Sequence, residues 1–185
     1  TLIIPAFSLE RTQVILYELN NAIESGELPS VPVYLDSPLA IKLTSIFKKA
    51  SKRFDPEIRK QIKAGDDIFS FPKLQMTQTK EESKAIFKDT GPKIIIAAAG
   101  MSRAGRIIYH HLHYLSDPQA TILMVGYQAA GTFGRRLLEG AKRVRIWKND
   151  IRVKARIEMI SGYSAHMDRD ELLSFVKSSS TNLKK

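Results

Sequence analysis

Asp36, Arg106 and His166 are the side chains whose types and settings could do chemistry. Asp36 follows the apolar run Val33-Tyr34-Leu35, and the carboxyl end of a strand is where open α/β sheets place functional groups. An aspartate in such a loop more often serves as a helix cap than as a catalyst, and Ser37-Pro38 begins a helix just beyond it. Arg106 closes the segment Gly100-Met101-Ser102-Arg103-Ala104-Gly105-Arg106, which follows a buried strand and resembles a phosphate-binding turn opening a helix. It is not a Walker loop, because Arg106 and Ile107 stand where that motif needs Lys then Ser or Thr. The amides of the turn and Arg106 could hold a phosphodiester; a glycine turn made for tight helix-strand packing explains the segment equally well. His166 lies in Ser161-Gly162-Tyr163-Ser164-Ala165-His166-Met167-Asp168. Small residues let a ligand approach closely, and a loop histidine there can donate a proton near neutral pH. His110, His111 and His113 look like a metal cluster, but only 110 and 113 share a helical face and no carboxylate is near them in sequence, so ligation is not expected.

Composition narrows the partners. The chain has 185 residues, a net charge of +10 and no cysteine, which removes disulfides, thiolate catalysis and Cys-based zinc sites. No apolar run reaches membrane-spanning length, so a cytoplasmic protein is expected. The surplus charge is local: residues 42–65 carry eight bases against two acids, and residues 131–156 nine against two, whereas residues 1–36 carry one base and five acids. Either block alone reads as a solvated face; two together point to a polyanion partner.

The elements that must position these residues alternate strand and helix. Leu2-Ile3-Ile4 reads as a strand before a helix capped by Ser8 and running to Gly26. Val33 to Leu35 is a second strand, followed by a basic helix from near Leu39. Short helices rather than sheet are expected around Pro56, Gly65 and Pro72, and Thr79 with Glu82 forms a capping box. Ile94 to Ala99 and Ile122 to Val125 are apolar without alternation, as in a parallel sheet covered on both faces. They are followed by helices near Ala104 to Tyr114 and Thr132 to Glu139. Residues 151 to 159 alternate apolar with charged, predicting one half-exposed strand paired with residues 144–147 across Lys148-Asn149-Asp150. Asp168 and Glu171 announce a last helix.

Taken together, these segments resemble the β-CASP branch of the metallo-β-lactamase superfamily, metal-dependent nucleases that include ribonuclease J and the mRNA 3′-end processing endonuclease. The likeness rests on Ile4-Pro5-Ala6-Phe7-Ser8-Leu9-Glu10-Arg11, Leu35-Asp36-Ser37-Pro38-Leu39-Ala40, Ala99-Gly100-Met101 with Gly105-Arg106 and His110-His111-Leu112, Val125-Gly126-Tyr127-Gln128 with Gly131-Thr132, and Gly162 to Asp168. It implies a three-layer, Rossmann-like parallel α/β domain over residues 1–142, and a re-entering β-β-α segment of the lactamase domain over 143–185. Asp36 would be the motif A carboxylate that orients or charges the motif B imidazole. His166 would be the general acid, and Ser164, Arg106, Ser37 and Gly100 the substrate-binding set.

The resemblance also implies two zinc ions in a full-length parent. The family's His-x-His-x-Asp-His motif is absent from these 185 residues and no His follows His166, so no metal ligand is expected within this chain. The expectation is therefore an excised part of a zinc-dependent ribonuclease, inactive alone, whose partners are single-stranded RNA and the rest of the lactamase domain, with room for a homodimer. The alternative is a non-catalytic RNA-binding or scaffold module. Endonuclease and exonuclease action are not separated, and a small-molecule or nucleotide-binding α/β domain is a third reading.

Overall fold

Six strands of this chain share one direction. In a computed structural model that describes residues 1–163 and 167–179, β1 (Leu2–Pro5), β2 (Val33–Asp36), β3 (Leu74–Met76), β4 (Ile94–Ala97), β5 (Thr121–Met124) and β8 (Arg156–Met159) form a parallel sheet in the order β3-β2-β4-β1-β5-β8. A separate antiparallel hairpin pairs β6 (Arg143–Ile146) with β7 (Asn149–Arg152). The helices are α1 (Arg11–Glu24), α2 (Pro38–Lys49), α3 (Pro56–Lys63), α4 (Lys80–Ala85), α5 (Ile107–Tyr114), α6 (Phe133–Leu138) and α7 (Arg169–Ser179).

The strands lack alternation because both faces of the sheet are buried. Successive side chains point to opposite faces, so Ile3, Tyr34, Ile95, Ile122 and Met124 enter one core with α5, α6 and the hairpin. Ile4, Val33, Leu35, Ile94 and Ile96 enter the other with residues of α1 and α2 and with Ile68, Phe69 and Phe71. The fold is thus the expected three-layer α/β sandwich. The two basic blocks lie in opposite layers of it, the first on α2, α3 and the turn between them, the second from α6 through the hairpin to β8.

Several local expectations change. Ser8 does not cap α1: the helix starts at Arg11 after Glu10, whose φ is 65°, and the Ser8 hydroxyl faces Ser37 instead. A strand, β3, follows Pro72 where helices were expected; with three residues and partial burial it has little apolar pattern to announce it. The alternating stretch 151–159 is not one strand. The amides of Lys154 and Ala155 both donate to the Leu115 carbonyl (2.8 and 3.1 Å), which breaks the ladder, and Arg156 onward joins the main sheet beside β5. The hairpin turn falls at Trp147-Lys148, one residue earlier than the sequence implied. The Thr79/Glu82 capping box forms as expected. On α7, Leu172, Leu173, Phe175 and Val176 are exposed. Among the described residues no helix is long and apolar enough to cross a membrane.

Candidate active site

A parallel sheet delivers every strand to one edge at its carboxyl end, and the loops leaving β1, β2, β3, β4, β5 and β8 meet there. Hydrogen bonds tie them together. Ser8 Oγ and Ser37 Oγ are 3.3 Å apart, joining the β1 and β2 loops. Gln128 Nε2 donates to the Gly100 carbonyl at 2.9 Å, joining the β5 and β4 loops. The Arg11 guanidinium donates to the Tyr163 carbonyl and lies 5.6 Å from the centre of the Tyr163 ring, tying the loop after β8 to the start of α1. Phe7, Leu9, Leu39, Tyr127 and Ile160 are exposed apolar residues of these loops and their flanking helices.

At the base of this edge lies a charged knot. Asp36 is fully buried, 0% exposed, and each carboxylate oxygen accepts two hydrogen bonds. Oδ1 takes Thr77 Oγ1 at 2.6 Å and Arg106 Nη1 at 2.7 Å; Oδ2 takes Ser83 Oγ at 2.7 Å and His110 Nε2 at 2.7 Å. Burial by itself would push the Asp36 carboxyl up, but the bonds from His110, Thr77, Ser83 and Arg106 outweigh it and hold its pKa at about 2. Against an ionised carboxylate His110 Nε2 must be the donor. Arg106 also donates from Nη1 to the Thr77 carbonyl (2.9 Å) and from Nη2 to the Gln78 carbonyl (2.7 Å), so it fastens the β3 loop to the base of α5.

Each expected site residue can now be placed. Asp36 and Arg106 come together, through a direct ion pair. Ser37 is buried and caps α2, accepting from the Ala40 amide at 3.2 Å. Gly100 reaches the same edge, but a Cβ there would lie 2.7 Å from the Phe7 ring, so its smallness admits that ring. Gly105, with φ +73° and a Cβ position 2.7 Å from the Ala98 carbonyl oxygen, is the glycine that the turn itself requires. Ser164 and His166 lie outside the described residues, next to Tyr163 on one side and Met167 on the other.

The partners of Asp36 went unrecognised in the sequence. In the sequence no carboxylate stands near His110; it arrives from β2, because β2 and β4 are neighbours and α5 follows β4. His111 is equally buried, its ring nitrogens without hydrogen-bond partners among the described residues, and burial followed by the charge of His110 pushes it down to about 3. Among the described residues no group of three or more His, Asp or Glu could hold a metal ion. The one buried carboxylate-imidazole pair is closed: both Asp36 oxygens are saturated and neither residue is exposed. Zinc does not fit these described residues.

Comparison with known proteins accords with the fold. The Beta-Casp domain family matches residues 12–137, and the Zn-dependent metallo-hydrolase RNA specificity domain matches residues 150–182. Ribonuclease TTHA0252 of Thermus thermophilus is 34% identical over 175 residues, covering 95% of this chain and 40% of the relative. An RNase J-like protein of Methanocaldococcus jannaschii is 33% identical, with 95% and 39% covered. Transcription termination factor FttA of Methanosarcina mazei is 31% identical, with 95% and 28% covered. The chain thus spans well under half the length of these relatives.

Proposed function

Because the chain belongs to the β-CASP family of the metallo-β-lactamase superfamily, we propose that it is part of a zinc-dependent RNA phosphodiesterase and supplies RNA binding and the acid side of the site. The observation that carries this is the gathering of the motif-bearing loops at one sheet edge, in a chain similar over 95% of its length to a ribonuclease. The metal ions are held by donors outside the described residues, in the remainder of the lactamase domain. In this reading residues 143–185 are the re-entering segment of that domain, although β8 extends the β-CASP sheet.

Within this reading each residue takes a distinct role. His166 is the proton donor to the leaving oxygen, and Ser164 a hydrogen-bond donor to a phosphate oxygen. Arg106, partly exposed, presents its guanidinium at the edge. Asp36 cannot touch substrate, so it acts as a positioning residue that fixes Arg106 and His110. Ser37 and Gly100 shape the loops from beneath. Substrate is single-stranded RNA, its bases resting on exposed rings such as Tyr127.

In the full-length protein with zinc, His166→Ala should lower single-stranded RNA cleavage by about 10²- to 10⁴-fold, the usual span for a general acid, with the melting temperature unchanged. An unchanged rate would remove the role of His166, and absence of zinc-dependent cleavage by the parent would remove the reading. The present chain alone should not cleave. One observation favours a second reading, a non-catalytic scaffold: Asp36 is fully committed inside the fold, so its presence fits an inactive module as well. Metal-independent RNA binding without cleavage by the parent would establish that reading.

A further inference from the structure

The β6–β7 hairpin carries charge that its own fold does not use. Val144, Ile146 and Ile151 point into the core, leaving Arg143, Arg145, Asp150 and Arg152 on the outer face. Arg143 stands directly opposite Arg152, and like charges in that cross-strand position are destabilising. Asp150 answers only part of this, pairing with Arg143 at 2.6 Å; among the described residues Arg152, Lys142 and Lys148 have no carboxylate partner.

The tip is as unusual as the face. Trp147, the single tryptophan of the chain, occupies the turn with φ 52° and is 61% exposed. Asn, Asp and Gly are the residues that accept this backbone region readily, so a bulky ring here is strained and unburied at once. Its ring packs edge-on against Tyr109 of α5, centroids 5.4 Å apart, and Tyr109 is itself 54% exposed. The segment leaving the hairpin is bonded to Leu115, at the carboxyl end of α5, whereas the tip lies beside Tyr109 near its start. Because α5 leaves the sheet from the carboxyl end of β4, the ribbon points toward the candidate active-site edge.

We propose that the outer face of this hairpin, with Trp147 and Tyr109 at its tip, is a binding track for single-stranded RNA leading to that edge. The inference rests on the RNA reading above and adds a surface separate from the loops of the site. Arg143, Arg145 and Arg152 contact successive phosphates and relieve the opposed arginines, while a base stacks on the open face of Trp147.

The test is fluorescence anisotropy of the full-length protein with a labelled 20-nucleotide single-stranded RNA, at several salt concentrations. Trp147→Asn should weaken binding by about 5- to 100-fold, the range of one lost base stack, without lowering the melting temperature, since Asn suits the turn; Trp147→Phe should recover most of the affinity. Arg143→Gln/Arg145→Gln/Arg152→Gln should flatten the dependence of log affinity on log salt by about 2, at about 0.7 per phosphate on single strands. Lys88→Gln, exposed and outside both basic blocks, serves as control and should change neither. Wild-type affinity and slope in the Trp147→Asn and triple variants would overturn the track while leaving zinc-dependent cleavage standing. A parent that neither binds nor cuts RNA would overturn both.

Discussion

Asp36 and the hairpin arginines both concentrate charge, yet in opposite ways. Around Asp36 one carboxylate, 0% exposed, receives four donors from the β3 loop, α4 and α5 with its N-cap. On the hairpin three arginines face solvent with one carboxylate between them. A buried ion that loses its partner is left uncompensated in a medium of low dielectric, whereas an exposed one is merely rehydrated. Fully paired, buried charge therefore serves the fold, and exposed charge that is only partly paired is available to a partner.

The comparison can be broken most forcefully at its buried member. Asp36→Ala should destabilise the protein by about 3 to 5 kcal/mol, because it strands Arg106 and His110, read as a lowered urea midpoint. Ser83→Ala removes one donor to the same carboxylate and should cost about 1.5 to 3 kcal/mol. A midpoint unmoved by either change would mean that the knot contributes nothing to the fold.

Acid should act on the same group. The Asp36 carboxyl is held at about 2 against an ordinary 3.8, so the unfolded chain takes up the proton first. The stability this contributes, on the order of 2 kcal/mol, is complete above about pH 4 and lost as the pH falls toward 2. His111, depressed to about 3 from 6.5, adds a loss in the same direction, beginning nearer pH 6.5. Comparing urea midpoints of wild type and Asp36→Asn from pH 7 to pH 2.5 isolates the Asp36 part: the gap between them should narrow with acid. A constant gap would contradict the assignment. The smallest expected effect is on the hairpin, where Arg152→Gln removes the charge opposite Arg143 and should raise the urea midpoint slightly, by no more than about 1 kcal/mol of stability.

Much of this was legible in the sequence. Continuous apolar runs such as Ile94 to Ala97 signalled a doubly covered parallel sheet, since alternation vanishes when both faces are buried. The Thr79/Glu82 box and the placing of Asp36 at a strand end and Arg106 at a helix start followed from local rules. The pairing of Asp36 with His110 did not, because it depends on β2 lying beside β4, and strand order leaves no mark on either segment. The break at Lys154-Ala155 was hidden for a similar reason: two amides turn to the distant Leu115 carbonyl while the alternation of side chains continues undisturbed. Trp147 gave no signal, as its exposure and left-handed backbone emerge only once the hairpin register is fixed.

The division between charge that holds the fold and charge that meets a partner is tested most directly by thermal melting of two variants of the full-length protein, side by side. Asp36→Asn should melt clearly lower, in proportion to a loss of about 3 kcal/mol, while Arg143→Gln/Arg145→Gln/Arg152→Gln should melt close to the wild type. Equal losses in both, or an Asp36→Asn variant as stable as the wild type, would contradict the account.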